Sequence, residues 1–167
     1  MKLSHSVSFT FDLILPYAEA VQFVRDAKAS LKNASFIDDL QVQDNLVSAS
    51  IPVNAALFGQ QLLAFKSRLE PSPSGARLIA LELDTDQPGW AEVAGEAKVE
   101  HKPKGSQVSY TFDITIHLRL PKAEKWGGKA LRKMIEFTAQ KVLENVTSQF
   151  PCAVQEAAKE AEASYAA

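Results

Sequence analysis

Val108-Ser109-Tyr110-Thr111-Phe112-Asp113-Ile114-Thr115-Ile116-His117-Leu118 is the stretch on which the fold turns. Apolar or aromatic residues alternate with polar ones along its whole length. That period of two is the mark of a β-strand with one face buried and one face in water. Its upstream neighbour has the same pattern. Ala91, Val93, Gly95, Ala97, Val99 and His101 alternate up to the turn signal Pro103-Lys104-Gly105. A turn between Lys104 and Gly105 sets Val99 opposite Tyr110 and Ala97 opposite Phe112, all on the apolar phase, as the pleat requires.

Further upstream the pattern repeats. Arg77, Ile79, Leu81 and Leu83 alternate before the polar loop 84–89. Residues 57–69 predict a longer strand with Leu63, Phe65 and Leu69 in phase, ended by Pro71-Ser72-Pro73-Ser74-Gly75. A turn about Pro73 places Phe65 opposite Leu81 and Leu63 opposite Leu83. Val47, Ala49, Ile51 and Val53 alternate as well, and a turn at Asp44-Asn45 brings Val42 opposite Val47. At the start of the chain, Val7, Phe9, Phe11 and Leu13 share one face, with Ser8, Thr10 and Asp12 on the other. Pro16 stops that strand and suits the start of a helix. Residues 17–31 then follow helical spacing, with Ala20, Val24, Ala27 and Leu31 on one stripe widened by Phe23.

Downstream of the opening stretch, the period changes from two to that of a helix. Leu131, Ile135, Thr138, Val142, Val146 and Phe150 recur at helical spacing, and Met134 and Phe137 broaden the stripe. Pro151 is expected to kink or end this helix near Phe150. Residues 152–167 are rich in Ala and Glu and predict a helical tail that frays. The order is strand, helix, six meandering strands, long helix, within a single expected domain over residues 1–167. An antiparallel sheet covered on one face by the last helix is the α+β arrangement this order supports.

Composition sets the outer bounds. The 167 residues are 46% hydrophobic and 23% charged, with a net charge of −2. That balance supports a folded core and no overall basic field for nucleic acid. The one cysteine, Cys152, forms no internal disulfide and reads as a small buried or half-buried hydrophobe. Lys2, Ser4, His5, Ser6 and Ser8 interrupt any apolar leader, and no run approaches the ~20 residues of a membrane span. A cytoplasmic location is the expectation that follows.

The stretch from Phe11 through Pro16 to Val21 resembles the strand–proline–helix opening of the START/Bet v 1-like (SRPBCC, helix-grip) superfamily. Gly95 to Val99, Lys104-Gly105 and Val108 to Tyr110 are similar to its last hairpin. Trp126-Gly127-Gly128 resembles the carbon monoxide dehydrogenase accessory-subunit branch, and the order of elements resembles an uncharacterised bacterial family of this fold. The resemblance implies a sheet of about seven strands gripping the long C-terminal helix. It also implies a cavity between them that takes lipids or other apolar small molecules.

The residues expected to wall such a cavity are Phe9, Phe11, Phe65, Leu81, Trp90, Phe112, Ile114, Trp126, Met134 and Phe137. Trp90 and Trp126 both border the longer connections, which makes that end of the sheet the expected mouth. Packing alone would also account for any one of these residues. Catalysis has little to draw on: the polar residues on the inward phase are Arg77, His101 and Tyr110. His5, His101 and His117 lack metal-ligand spacing, and no cofactor motif is present. His117 and Glu92 are expected to pair on the outer face. The sequence points first to non-catalytic binding of an apolar or amphipathic molecule. A protein-interaction or membrane-surface role is second, because Arg119, Lys122, Lys125, Lys129, Arg132 and Lys133 face only Glu124, and an enzyme of the cyclase or hydratase type is third.

Overall fold

A computed structural model describes residues 1–55, 59–119 and 128–167. The chain opens with β1 (Lys2–Leu13), followed by two short helices, α1 (Tyr17–Arg25) and α2 (Ala27–Ser30). Six strands come next: β2 (Asp38–Gln43), β3 (Leu46–Ala55), β4 (Gly59–Ser72), β5 (Gly75–Ala80), β6 (Gly89–Lys102) and β7 (Gly105–Leu118). α3 (Gly128–Ala166) closes the chain. The strands form one seven-stranded sheet in the order β1-β7-β6-β5-β4-β3-β2, with neighbours in that order antiparallel. This is the helix-grip α+β fold.

The alternation in the opening stretch is a real division between faces. Val108, Tyr110, Phe112, Ile114 and Ile116 are buried, whereas Thr111 and Asp113 are exposed. On the outer face, β1 and β7 are tied by a ladder of hydroxyls. Ser4 meets Thr115 at 2.9 Å, Ser8 meets Thr111 at 3.2 Å and Thr10 meets Ser109 at 3.1 Å, while Ser6 donates to Asp113. Polar pairs directly opposite one another add a few tenths of a kcal/mol each and fix the register of this edge strand.

Two hairpins differ in register from the sequence expectation. The β6–β7 turn is Pro103-Lys104, with Lys102 opposite Gly105, so Val99 faces Val108, Ala97 faces Tyr110 and Gly95 faces Phe112. The slip is by two, so the buried phase survives. Gly105 sits at φ +139°, and a Cβ there would lie 2.1 Å from the Leu13 carbonyl oxygen. The β4–β5 turn is Pro73-Ser74, with Ser72 opposite Gly75. This slip is by one, and it inverts β5: Ala76 and Leu78 are buried, whereas Arg77 is exposed. Leu81 falls beyond the end of the strand, where its N–H donates to the Lys66 carbonyl at 2.9 Å. The Asp44-Asn45 turn pairs Val42 with Val47 as expected, with Asp44 at φ +55°.

The helices also depart from expectation. The anticipated helix over 17–31 is broken at Asp26, which is extended (φ −109°, ψ 93°) and accepts a hydrogen bond from the Ala29 N–H at 3.0 Å. Asp26 is the N-cap that starts a new helix. α3 does not stop at Pro151 but runs through it to Ala166. The tail expected to fray holds the buried Ala153, Val154, Ala157 and Ala158. Alanines let the helix axis approach the sheet closely, which is why an Ala-rich segment packs there. Its end is pinned as well: the Ile14 N–H donates to Glu162 at 2.8 Å, and Glu160 pairs with Lys32 and accepts from Asn33. Cys152, expected to be buried or half-buried, is exposed, with its Sγ 3.6 Å from Glu156 Oε1.

Candidate functional site

The inner face of the sheet carries a run of stacked aromatic rings. Phe9 on β1 stacks on Tyr110 of β7 at 5.3 Å, because the register sets them opposite. Phe11 stacks on Tyr110 at 6.1 Å, Tyr110 on Phe112 at 5.5 Å, and Phe112 on Phe150 of α3 at 4.4 Å. Offset aromatic pairs at such distances contribute about 0.5–1.5 kcal/mol each beyond area burial. Phe9 and Phe11 remain half-buried, since β1 is an edge strand and α3 covers it incompletely.

Beside these rings, under α1 and α2, lies a cavity of about 40 Å³. That is room for roughly three waters, at ~10–15 Å³ each. Val24, Ala27, Leu31, Leu69, Ala76, Leu78, Ala97 and Phe112 supply its apolar lining, and Ser30 and Tyr110 supply its hydroxyls. Gly95 makes the space for one wall: a Cβ there would lie 3.0 Å from the Phe112 ring and 2.7 Å from the Thr111 carbonyl oxygen. α1 is held over this region by Arg25, which donates to the carbonyls of Gly75 at 2.9 Å and Ser72 at 2.6 Å.

Tyr110 is 6% exposed, and among the described residues its hydroxyl has no hydrogen-bond partner of normal geometry. Burial pushes the phenol well above its ordinary value, and the adjacent Ser30 hydroxyl offsets this only in part. Ser30 itself donates to the carbonyls of Phe23 at 2.6 Å and Asp26 at 2.9 Å. The site thus combines an apolar wall with one phenol that stays protonated and one serine oxygen whose hydrogen is already committed.

The residues expected to wall the cavity fall into different places. Phe112 lines it, and Phe9 and Phe11 continue its aromatic side. Phe65 and Ile114 are buried core residues that do not line it. Leu81 is excluded by the inverted register of β5. Trp90 lies on the opposite, outer face, stacked on His117 at 4.9 Å with the Arg119 guanidinium 4.9 Å from its ring. Met134 and Phe137 point away from the sheet, 47% and 64% exposed. At 100° per residue Phe137 lies nearly opposite the buried Ala139, Leu143 and Val146, so the apolar stripe does not extend to it. Trp126 and Gly127 lie outside the described residues, as do Lys122, Glu124 and Lys125 of the basic segment.

Of the polar candidates, Arg77 and His101 are exposed, the latter with its ring 3.9 Å from that of Tyr17, and only Tyr110 is inside. His117 Nε2 is 3.4 Å from Glu92 Oε2 on the outer face, as expected, although the register sets His117 opposite Trp90. The cavity sits in the half of the sheet nearest the tight turns Pro73-Ser74 and Pro103-Lys104. Ser30, Ala27 and Leu69 line it without having been among the residues expected to wall it. A signal for Ser30 exists: Phe23, Ala27 and Ser30 recur at helical spacing, which places a serine on an apolar stripe.

The comparisons with known proteins agree with this geometry at the level of fold. TTHA0849 from Thermus thermophilus is 16% identical, with 94% of this chain and 99% of that one covered and a TM-score of 0.53. The di-domain ARO/CYC StfQ from the steffimycin biosynthetic pathway is 14% identical, with a TM-score of 0.55. The match covers 98% of this chain and 52% of that one, so this chain spans about half of the StfQ chain. No curated protein matches the sequence. The family described as "Protein of unknown function (DUF3809)" matches residues 8–148, and the chain belongs to that family.

Proposed function

We propose that this member of the DUF3809 family binds an apolar or amphipathic small molecule between the sheet and its helices, without transforming it. One observation carries the reading: Tyr110 and Phe112, stacked on each other and on Phe9, line an apolar-walled cavity beneath α1 and α2. A ligand larger than the 40 Å³ of free space is accommodated by moving Phe9 and Phe11, which are already half-buried at an edge. Similarity to StfQ supports the fold on which this reading is built, and the site carries the rest. Native mass spectrometry and hydrophobic-dye titration test the reading. Uptake in the wild type, blocked in Ala97→Leu, is expected, because leucine at Ala97 fills the cavity from β6. A bare chain mass together with no dye uptake would end the proposal.

A second reading has its own observation. Lys129, Arg132 and Lys133 are exposed beside the exposed Met134 and Phe137, with Lys141 Nζ 5.4 Å from the Phe137 ring. A basic helix face carrying outward apolar residues suits an anionic lipid surface. Among the described residues, no helix is long and apolar enough to cross a membrane. Flotation with phosphatidylserine vesicles at low salt, lost in Lys129→Glu/Lys133→Glu, is the expected result. Equal flotation with neutral vesicles counts against it.

A further inference from the structure

We propose that the Tyr110–Ser30 end of the cavity binds the hydroxyl of a neutral ligand, making the preferred guest an alcohol and not a carboxylic acid. This rests on the binding reading above and names its substrate class. The starting point is a contrast among buried hydroxyls. Ser30, Ser67, Ser106 and Thr147 each donate to a backbone carbonyl, at 2.6 to 2.8 Å. Tyr110, equally buried, has no partner of normal hydrogen-bond geometry among the described residues, although the Ser30 hydroxyl lies beside it. A buried donor left unpaired is costly, and its pairing is a gain reserved for whatever enters the cavity it lines.

The partner groups define the chemistry. The Ser30 hydrogen is directed at the carbonyls of Phe23 and Asp26, so toward the cavity Ser30 offers lone pairs only. Tyr110 offers a hydrogen. An alcohol oxygen accepts from Tyr110 and donates to Ser30, which satisfies both; an ether or ketone satisfies only the first. A water molecule has the same complement, and a ligand hydroxyl replaces it like for like.

Charge excludes the acid. Glu96 reaches the cavity wall on a strand whose inner face is Gly95 and Ala97, so its carboxylate lies on the outer face, 3.8 Å from Lys98. Arg25, the cation of α1, is held by the carbonyls of Gly75 and Ser72. A carboxylate entering the cavity would be desolvated with no cation among its described lining to meet it.

Three probes of similar length test this: 1-octanol, heptyl methyl ether and octanoate, titrated into the full chain at pH 7 and followed by amide chemical shifts. The wild type is expected to bind the alcohol most tightly, the ether several-fold less, and octanoate at least tenfold less. Tyr110→Phe should weaken the alcohol and the ether alike, by about tenfold for a single hydrogen bond. Circular dichroism confirms that the variant is folded. Octanoate binding as tightly as octanol, or Tyr110→Phe leaving octanol within twofold, overturns the inference while leaving the cavity reading intact. Failure of all three probes to bind overturns both.

Discussion

Tyr110 holds a hydroxyl that finds no partner of normal hydrogen-bond geometry among the described residues. Tyr110→Phe in the ligand-free protein is therefore expected to leave stability at pH 7 unchanged or to raise it by up to about 1 kcal/mol. A urea midpoint that falls instead would show a hidden partner. The same residue sets an alkaline limit. Its folded-state pKa is raised by burial, so it adds no pH-dependent cost below the unfolded value of about 10, and stability falls as pH rises beyond that. Wild type should lose more stability than Tyr110→Phe between pH 8 and pH 11, measured by urea unfolding at each pH. Tyr110 is legible in the sequence as an inward residue, because alternation assigns a face without any knowledge of register. Its missing partner is not legible, since that depends on where the Ser30 hydrogen points.

The strands and helices show which features sequence periodicity resolves and which it does not. Parity places Phe112 and Ile114 inside whatever the turn, and a slip of two in β6–β7 leaves that intact. A slip of one in β4–β5 does not, and Pro71-Ser72-Pro73-Ser74-Gly75 offers several turn positions with no local preference strong enough to choose. The glycine decides: a Cβ at Gly75 would lie 2.0 Å from the Ala97 carbonyl oxygen, a contact across strands that local sequence does not display. α3 misleads in the opposite way. Its showy residues, Met134 and Phe137, are outside, and its plain alanines are inside. Truncation after Cys152 is accordingly expected to abolish cooperative thermal unfolding, because it removes Ala153, Val154, Ala157 and Ala158 from the core together with the Glu162 contact to Ile14. A fraying tail would instead be removable at almost no cost. Gly105→Ala is expected to destabilise by roughly 1–3 kcal/mol, from positive φ and the clash with Leu13 combined, read as a lowered urea midpoint.

At the scale of the molecule, a wrapped sheet and a long helix leave two faces with different uses. The outer face is sealed by hydroxyl pairs such as Ser8 with Thr111, whereas the inner face keeps aromatic rings beside free volume. A core built only for stability would fill that volume, since each residual void costs dispersion contacts. Keeping it open is consistent with a protein whose stability is completed by what it binds. Binding only to the folded state adds RT ln(1 + [L]/Kd), about 2.7 kcal/mol at a hundredfold excess over Kd. For a chain of this length that corresponds to a rise in Tm of roughly 5–10 °C. Thermal unfolding of the full chain with saturating 1-octanol should show that shift. Ala97→Leu, with its cavity filled from within, should unfold at a temperature indifferent to the alcohol. An equal shift in both proteins would mean that the alcohol acts at some other surface, and the inner cavity would lose its claim as the binding site.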